Sequence, residues 1–179
     1  MAITVSSKDI LFGPPSSITF SIGSTPTDLG ASEDPAKLTI TTTRYEPDFI
    51  NATGPLSGLT RITKIKAELT TRLNELSLTK LQAMLQNASI ATVAGTPVTY
   101  LLTESIGAIP AAQHGNLVVT AVGPDGNNCV ITLQNALQVG NLDIIFGITG
   151  PTGTPVTFRG YSDPTTPTLA PFSIQRVTQ

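Results

Sequence analysis

Apolar and polar residues alternate with a period of two through most of this chain, a pattern that predicts strands rather than helices. The alternation is clearest over 61–73. Ile65, Ala67, Leu69 and Leu73 fall on one face, and Lys64, Lys66, Glu68, Thr70 and Arg72 on the other. Residues 37–46 read the same way, with Leu38, Ile40 and Thr42 opposite Thr39, Thr41, Thr43 and Tyr45. Shorter apolar runs predict strands at 18–22, 98–103, 117–122, 129–133, 156–161 and 172–177. Residues 142–148 are almost continuously apolar, as expected of a strand covered on both faces. Gly123-Pro124-Asp125-Gly126 reads as a tight turn between two of these strands.

One segment breaks the pattern. Leu78, Leu81 and Leu85 recur at i, i+3 and i+7 with Met84 beside them, which predicts a helix over about 77–87. Ser77 is its expected N-cap, and Asn87 its expected left-handed close. Residues 25–30 read as a loop. Residues 47–60 form a long connection with two prolines, two glycines and the apolar Phe49, Ile50, Leu56 and Leu59. A loop of this length in a small domain is usually functional, and leaving four large apolar side chains in water is costly. These four residues are therefore expected to contact a neighbouring subunit. Residues 1–24 read as an extended arm ending in a short strand, and 162–179 as a proline-rich arm ending in another, within one domain spanning 1–179.

Composition narrows the function classes. Charged residues make up 12% of the 179, against a usual ~25%, and aromatics 5% with no tryptophan. Low charge gives a monomer little protection against association, so the surfaces of this protein are expected to be covered by neighbours. The net charge of -2 carries no overall signature of nucleic-acid binding. Cys129 is the one thiol, in the apolar run Cys129-Val130-Ile131, and is expected to be a small buried hydrophobe. No signal-peptide pattern or membrane-spanning stretch is seen, so synthesis in a reducing cytoplasm without membrane insertion is expected.

Candidate chemistry is sparse. His114 is the one histidine, and no Gly-x-Ser-x-Gly elbow accompanies it; a turn-stabilising or solvated role is expected. Gly147-Ile-Thr-Gly150-Pro151-Thr-Gly153 lacks the Gly-Lys-Ser/Thr ending of a phosphate loop, and Pro151 removes a backbone N–H. No enzyme, cofactor or metal site is expected. The cations Arg61, Lys64, Lys66 and Arg72 stand out, because they crowd one strand. Two readings of that strand stay open: an ordinary solvated face, or the lining of a surface shared in an oligomer. Nucleic-acid gripping ranks below both, since no aromatics interleave with the charges to stack bases.

Three blocks together resemble the major tail tube proteins of long-tailed bacteriophages. The first is Thr27-Asp28-Leu29-Gly30-Ala31-Ser32-Glu33, leading into the strand at Lys37. The second runs from Ile65 through Leu69 and Leu73 to Leu85, a strand followed by a leucine-rich helix. The third runs from the turn at Gly123 through Asn135-Ala136 to Val156-Thr-Phe-Arg-Gly-Tyr-Ser-Asp163. The match covers roughly 25–165 and departs from the family at Glu33-Asp34-Pro35, where many members have Glu-Gly-Gly.

The resemblance implies a mainly β protein, a β-sandwich or partial barrel of antiparallel strands flanked by one helix, with extended arms. It implies a virion tail location and six copies per ring. Rings would stack into a tube that conducts double-stranded DNA without specific binding, alongside tape-measure, terminator and distal tail proteins. Lys64, Lys66, Glu68, Thr70 and Arg72 become lumen-lining candidates, with Glu68 neutralising nearby cations, and Phe49, Ile50, Leu56 and Leu59 ring-stacking candidates. The alternatives are a head-decoration or tail-terminator protein, a carbohydrate-binding β-sandwich poorly supplied with aromatic platforms, and a hydrolase dependent on His114 or on unassigned carboxylates.

Overall fold

β-Branched and threonine-rich segments favour the pleated conformation. In the computed structural model, which describes residues 15–23, 25–30, 32, 35–47, 58–74, 76–95, 98–143 and 153–177, they build ten strands. These are β1 (Pro15–Ile22), β2 (Thr25–Gly30), β3 (Lys37–Tyr45), β4 (Arg61–Leu73), β5 (Ala88–Val93), β6 (Thr99–Glu104), β7 (Gly115–Val122), β8 (Asn128–Gln138), β9 (Thr154–Gly160) and β10 (Phe172–Val177). One helix, α1 (Leu78–Met84), lies between β4 and β5. All recorded pairings are antiparallel, and the protein is a mainly β sandwich or partial barrel with one helix.

β8 holds the two layers together. Its first half pairs with β7 on one side and β10 on the other, in the layer that also contains β1 and β2. Its last residues, Leu137 and Gln138, pair with β9, which continues into β4 and β3. The hand-over occurs at Gln134. Its N–H donates to the Pro171 carbonyl (2.9 Å), while its own carbonyl accepts from the Tyr161 N–H (3.0 Å). Asn135 follows with a φ of 47°, and its N–H donates to Asn116 Oδ1 (3.3 Å) at a bulge between β7 and β8. Bulges of this kind bend a strand and let it change sheets. Asparagine tolerates the left-handed conformation better than most residues.

The core lies between the layers. Ile18 and Phe20 of β1, Leu117 and Val119 of β7 and Leu133 of β8 face Ala67, Leu69 and Leu73 of β4 and Val156 and Phe158 of β9. The Phe20 and Phe158 rings meet across the sandwich at 5.3 Å between centroids. Cys129 is buried, and burial raises its thiol pKa.

Several local expectations are corrected. The helix is four residues shorter than the 77–87 reading. Ser77 does cap it, accepting from the Lys80 N–H at 3.2 Å, but it ends at Met84; of the expected stripe Leu81 and Met84 are buried, while Leu78 is exposed and Leu85 half-buried. Asn87 does adopt a left-handed φ of 58°, but it turns the chain into β5 rather than closing the helix. Residues 25–30 are not a loop; they pair with β1 as an edge strand. Residues 144–148 of the expected apolar strand lie outside the described residues, and Leu142 and Asp143 are not in a strand.

Gly160 sits at the hand-over. A Cβ there would lie 2.5 Å from the Pro171 carbonyl oxygen and 3.4 Å from that of Gln134. Both contacts are backbone, so neither can swing aside. Gly160→Ala is expected to lower stability by about 1–3 kcal/mol, the usual cost of forcing atoms into filled space. Denaturant unfolding checks this; an unchanged midpoint would mean that β8, β9 and residue 171 are not locked together here.

Candidate functional site

The outer face of β3, β4 and β9 gathers most of the chain's positive charge. Register places Lys37 opposite Thr70, Thr39 opposite Glu68, Thr41 opposite Lys66 and Thr43 opposite Lys64; across β4, Arg159 stands opposite Glu68 and Thr157 opposite Thr70. From Lys64 to Leu73 the alternation expected from the sequence holds, since Ala67, Leu69, Thr71 and Leu73 are buried while Lys64, Thr70 and Arg72 are exposed. All five lumen-lining candidates therefore share this one face.

A bulge adds a sixth residue from the same strand. Pairing shifts between Thr43 and Arg44, so that Arg44 meets Ile62 and Tyr45 meets Arg61. Thr63 is the extra residue, and its hydroxyl donates to the Thr43 carbonyl (3.2 Å). Strict alternation would have turned Arg61 to the core side. The rephasing instead sets its guanidinium 5.1 Å from the Tyr45 ring centroid, on the outer face.

Glu68 is the one carboxylate on this face among the described residues. Its Oε1 meets Arg159 Nη2 at 2.7 Å, Arg159 Nε at 2.9 Å and Lys66 Nζ at 3.0 Å. Arg159 first, and Lys66 second, hold its pKa below the usual glutamate value. Glu68 thus neutralises part of its own neighbourhood, while Lys37, Arg61 and Lys64 have no ion-pair partner among the described residues. Arg72 Nε donates to the Gly153 carbonyl (2.8 Å), and the Thr70 and Thr157 hydroxyls bond each other at 3.1 Å.

Pairing between β4 and β9 stops at Ala67 and Gly160, so 61–66 has no strand partner on that side among the described residues. An open cleft of about 700 Å³ runs beside this edge, lined by Ile62, Lys64, Lys66, Arg159, Tyr161 and Leu169. His114 lies beside Tyr161. Its ring packs edge-on against that tyrosine at 5.5 Å, and Nδ1 is 3.3 Å from the Pro110 carbonyl. It has the turn-stabilising surroundings expected of it.

Of the ring-stacking candidates, Phe49, Ile50 and Leu56 lie outside the described residues; Leu59 is described and exposed. Sequence reasoning missed a second exposed surface. β5 and β6 form a separate two-stranded hairpin that projects Val93, Tyr100 and Leu101 into solvent, with Val98 and Ile106 beside them. Alternation cannot reveal this surface, because apolar residues occur on both faces of β6.

No protein-family model matches this chain, and no curated protein does. Among solved structures, the six-fold symmetrised cryo-EM structure of the anti-feeding prophage baseplate aligns with 98% of this chain and 94% of its own. The identity is 11% and the TM-score 0.41. A likeness that distant establishes neither shared ancestry nor shared function.

The Glu68 cluster makes a pH-dependent contribution with a definite sign. Its folded pKa lies below the ordinary value of 4.5, so the contribution is complete above that value and is lost as pH falls through the folded one. The partners are partly exposed, so each pair is worth at most about 1 kcal/mol. Between neutral pH and about pH 3, Glu68→Gln is expected to lose less stability than the native protein. Parallel melting curves across that range check it; identical losses would remove Glu68 from the account.

Proposed function

We propose that this chain is a non-enzymatic structural subunit of a phage-type tail, of the tail-tube kind, assembling as hexameric rings that stack around a passage for double-stranded DNA. The observation that carries this reading is the layer formed by β3, β4, β9 and the end of β8. It is four strands wide, polar on its outer face and, among the described residues, open along β3. An open edge is a template for pairing with another chain, and ring closure is one way to remove it. Six such layers side by side would make a barrel of 24 strands. Strands ~4.8 Å apart and tilted ~45° then give a backbone diameter of roughly 50 Å, which admits a duplex once side chains are subtracted.

The sequence resemblance supports the same reading, and so does the exposed hairpin of β5 and β6. An isolated two-stranded hairpin is at best marginally stable in water. With apolar side chains on both surfaces, it gains stability when a neighbour covers it. In the assembly this hairpin and the segment around Leu59 meet adjacent subunits, while terminator, tape-measure and distal tail proteins meet the ends of the stack. The site of action is the virion tail.

Concentrated protein is expected to form rings or tubes visible by negative-stain microscopy. Monomeric scattering across a hundredfold concentration range would overturn the proposal. Leu101→Glu is expected to leave the subunit folded, because that side chain is half exposed, while weakening assembly at least tenfold in sedimentation. Normal tubes from this variant would leave the hairpin without a part in the contacts.

A further inference from the structure

We infer that the outer face of β3, β4 and β9 is a sequence-independent binding surface for the phosphodiester backbone of nucleic acid. The inference concerns the single subunit, and stands whether or not rings form.

The overall charge of -2 conceals a strong segregation. On this face Lys37, Arg61, Lys64, Lys66 and Arg159 oppose one carboxylate among the described residues, that of Glu68. Setting Arg72 aside, that leaves an excess of four positive charges, and the rest of the chain is correspondingly acidic. Lys66 and Arg159 share Glu68; Lys37, Arg61 and Lys64 share it with neither. From Arg61 to Thr70, opposite Lys37, the patch runs roughly 30 Å at the usual strand rise. That length matches about nine base steps of a duplex at 3.4 Å each.

Two features favour a phosphate backbone over an acidic protein. The ground between the cations is hydroxyl-bearing: Thr39, Thr41 and Thr43 of β3, Thr70 of β4 and Thr157 of β9. Hydroxyls and cations together make the usual contacts to phosphate oxygens. Protein interfaces instead centre on apolar or aromatic anchors and are depleted of charge there. The one ring among the outward-facing paired positions, Tyr45, is engaged by Arg61. A lack of stacking aromatics counts against reading single-stranded bases, but holding a duplex by its phosphates needs none.

A fluorescently labelled random-sequence duplex of about 20 base pairs, titrated in anisotropy with dilute subunit, tests this across a range of salt concentrations. Binding should be independent of sequence and fall with salt at a log–log slope of about -3 to -4, from roughly four neutralised phosphates. Lys64→Gln should shallow the slope by about one, and Arg61→Gln with Lys64→Gln by about two, without changing the circular dichroism spectrum. Lys80→Gln, on the helix, should leave it unchanged. No binding at 50 mM salt would overturn the inference, as would a slope indifferent to Arg61 and Lys64. Polyglutamate competing as well as duplex DNA would also overturn it, in favour of an acidic protein partner. Ring formation is scored separately by sedimentation, so loss of DNA binding with intact rings, or the reverse, separates this inference from the tube reading.

Discussion

The bend in β8 is the constraint from which the rest of the molecule follows. A single eleven-residue strand begins in one layer and ends in the other, so the relative position of the layers is set by one short stretch of backbone. Gln134 spends its N–H on one layer and its carbonyl on the other. Asn135 takes the left-handed conformation, and its amide also reaches the Tyr161 carbonyl at 3.5 Å. Gly160 leaves room for Pro171 to close over the junction. Phe20 and Phe158 come into register across the core only because this bend holds β1 and β9 facing each other.

The same arrangement decides what the outer surface of the second layer presents. With Ala67, Leu69, Leu73, Val156 and Phe158 committed to the core, every alternate residue of β4 and β9 must point away from it. Glu68 can be shared by Lys66 and Arg159 because the β4–β9 register puts Arg159 opposite it. One carboxylate cannot balance the whole face, and the bulge at Thr63 increases the imbalance by rotating Arg61 outward. In the proposed ring this face would form the wall of the passage. A duplex moving along it would then feel an attraction that salt weakens, so the charge of the lining sets a friction as well as a guide.

Stability and assembly draw on different parts of the molecule. The core is built from β1, β4, β7, β8 and β9 with Leu29 of β2 and two helix residues. β6 packs Leu102 against it, but β5 and β6 pair only with each other among the described residues. Burying that hairpin against a neighbour, as proposed, would add apolar contact without disturbing the packed interior.

Much of this organisation is legible in the sequence, wherever a single face is buried. β4 appears with its full length, and with both faces correct from Lys64 to Leu73, because Ile65, Ala67, Leu69 and Leu73 alternate with polar and charged residues there. The turn at Gly123 and the Ser77 cap are equally local, each depending on residues within a few positions of one another. What escaped depends on partners distant in the chain. Thr25-Pro26-Thr27-Asp28-Leu29-Gly30 has the composition of a loop and becomes a strand because β1 offers it an edge. The helix is cut short where residues 88–93 find a partner in β6. The outward turn of Arg61 arises from a one-residue slip between β3 and β4 that no alternation within either strand records. The sequence alone determined which residues prefer to be buried and which faces carry charge. The tertiary structure decided which strands meet, at what register and across which bend, because those choices belong to backbone hydrogen bonds between segments up to a hundred residues apart.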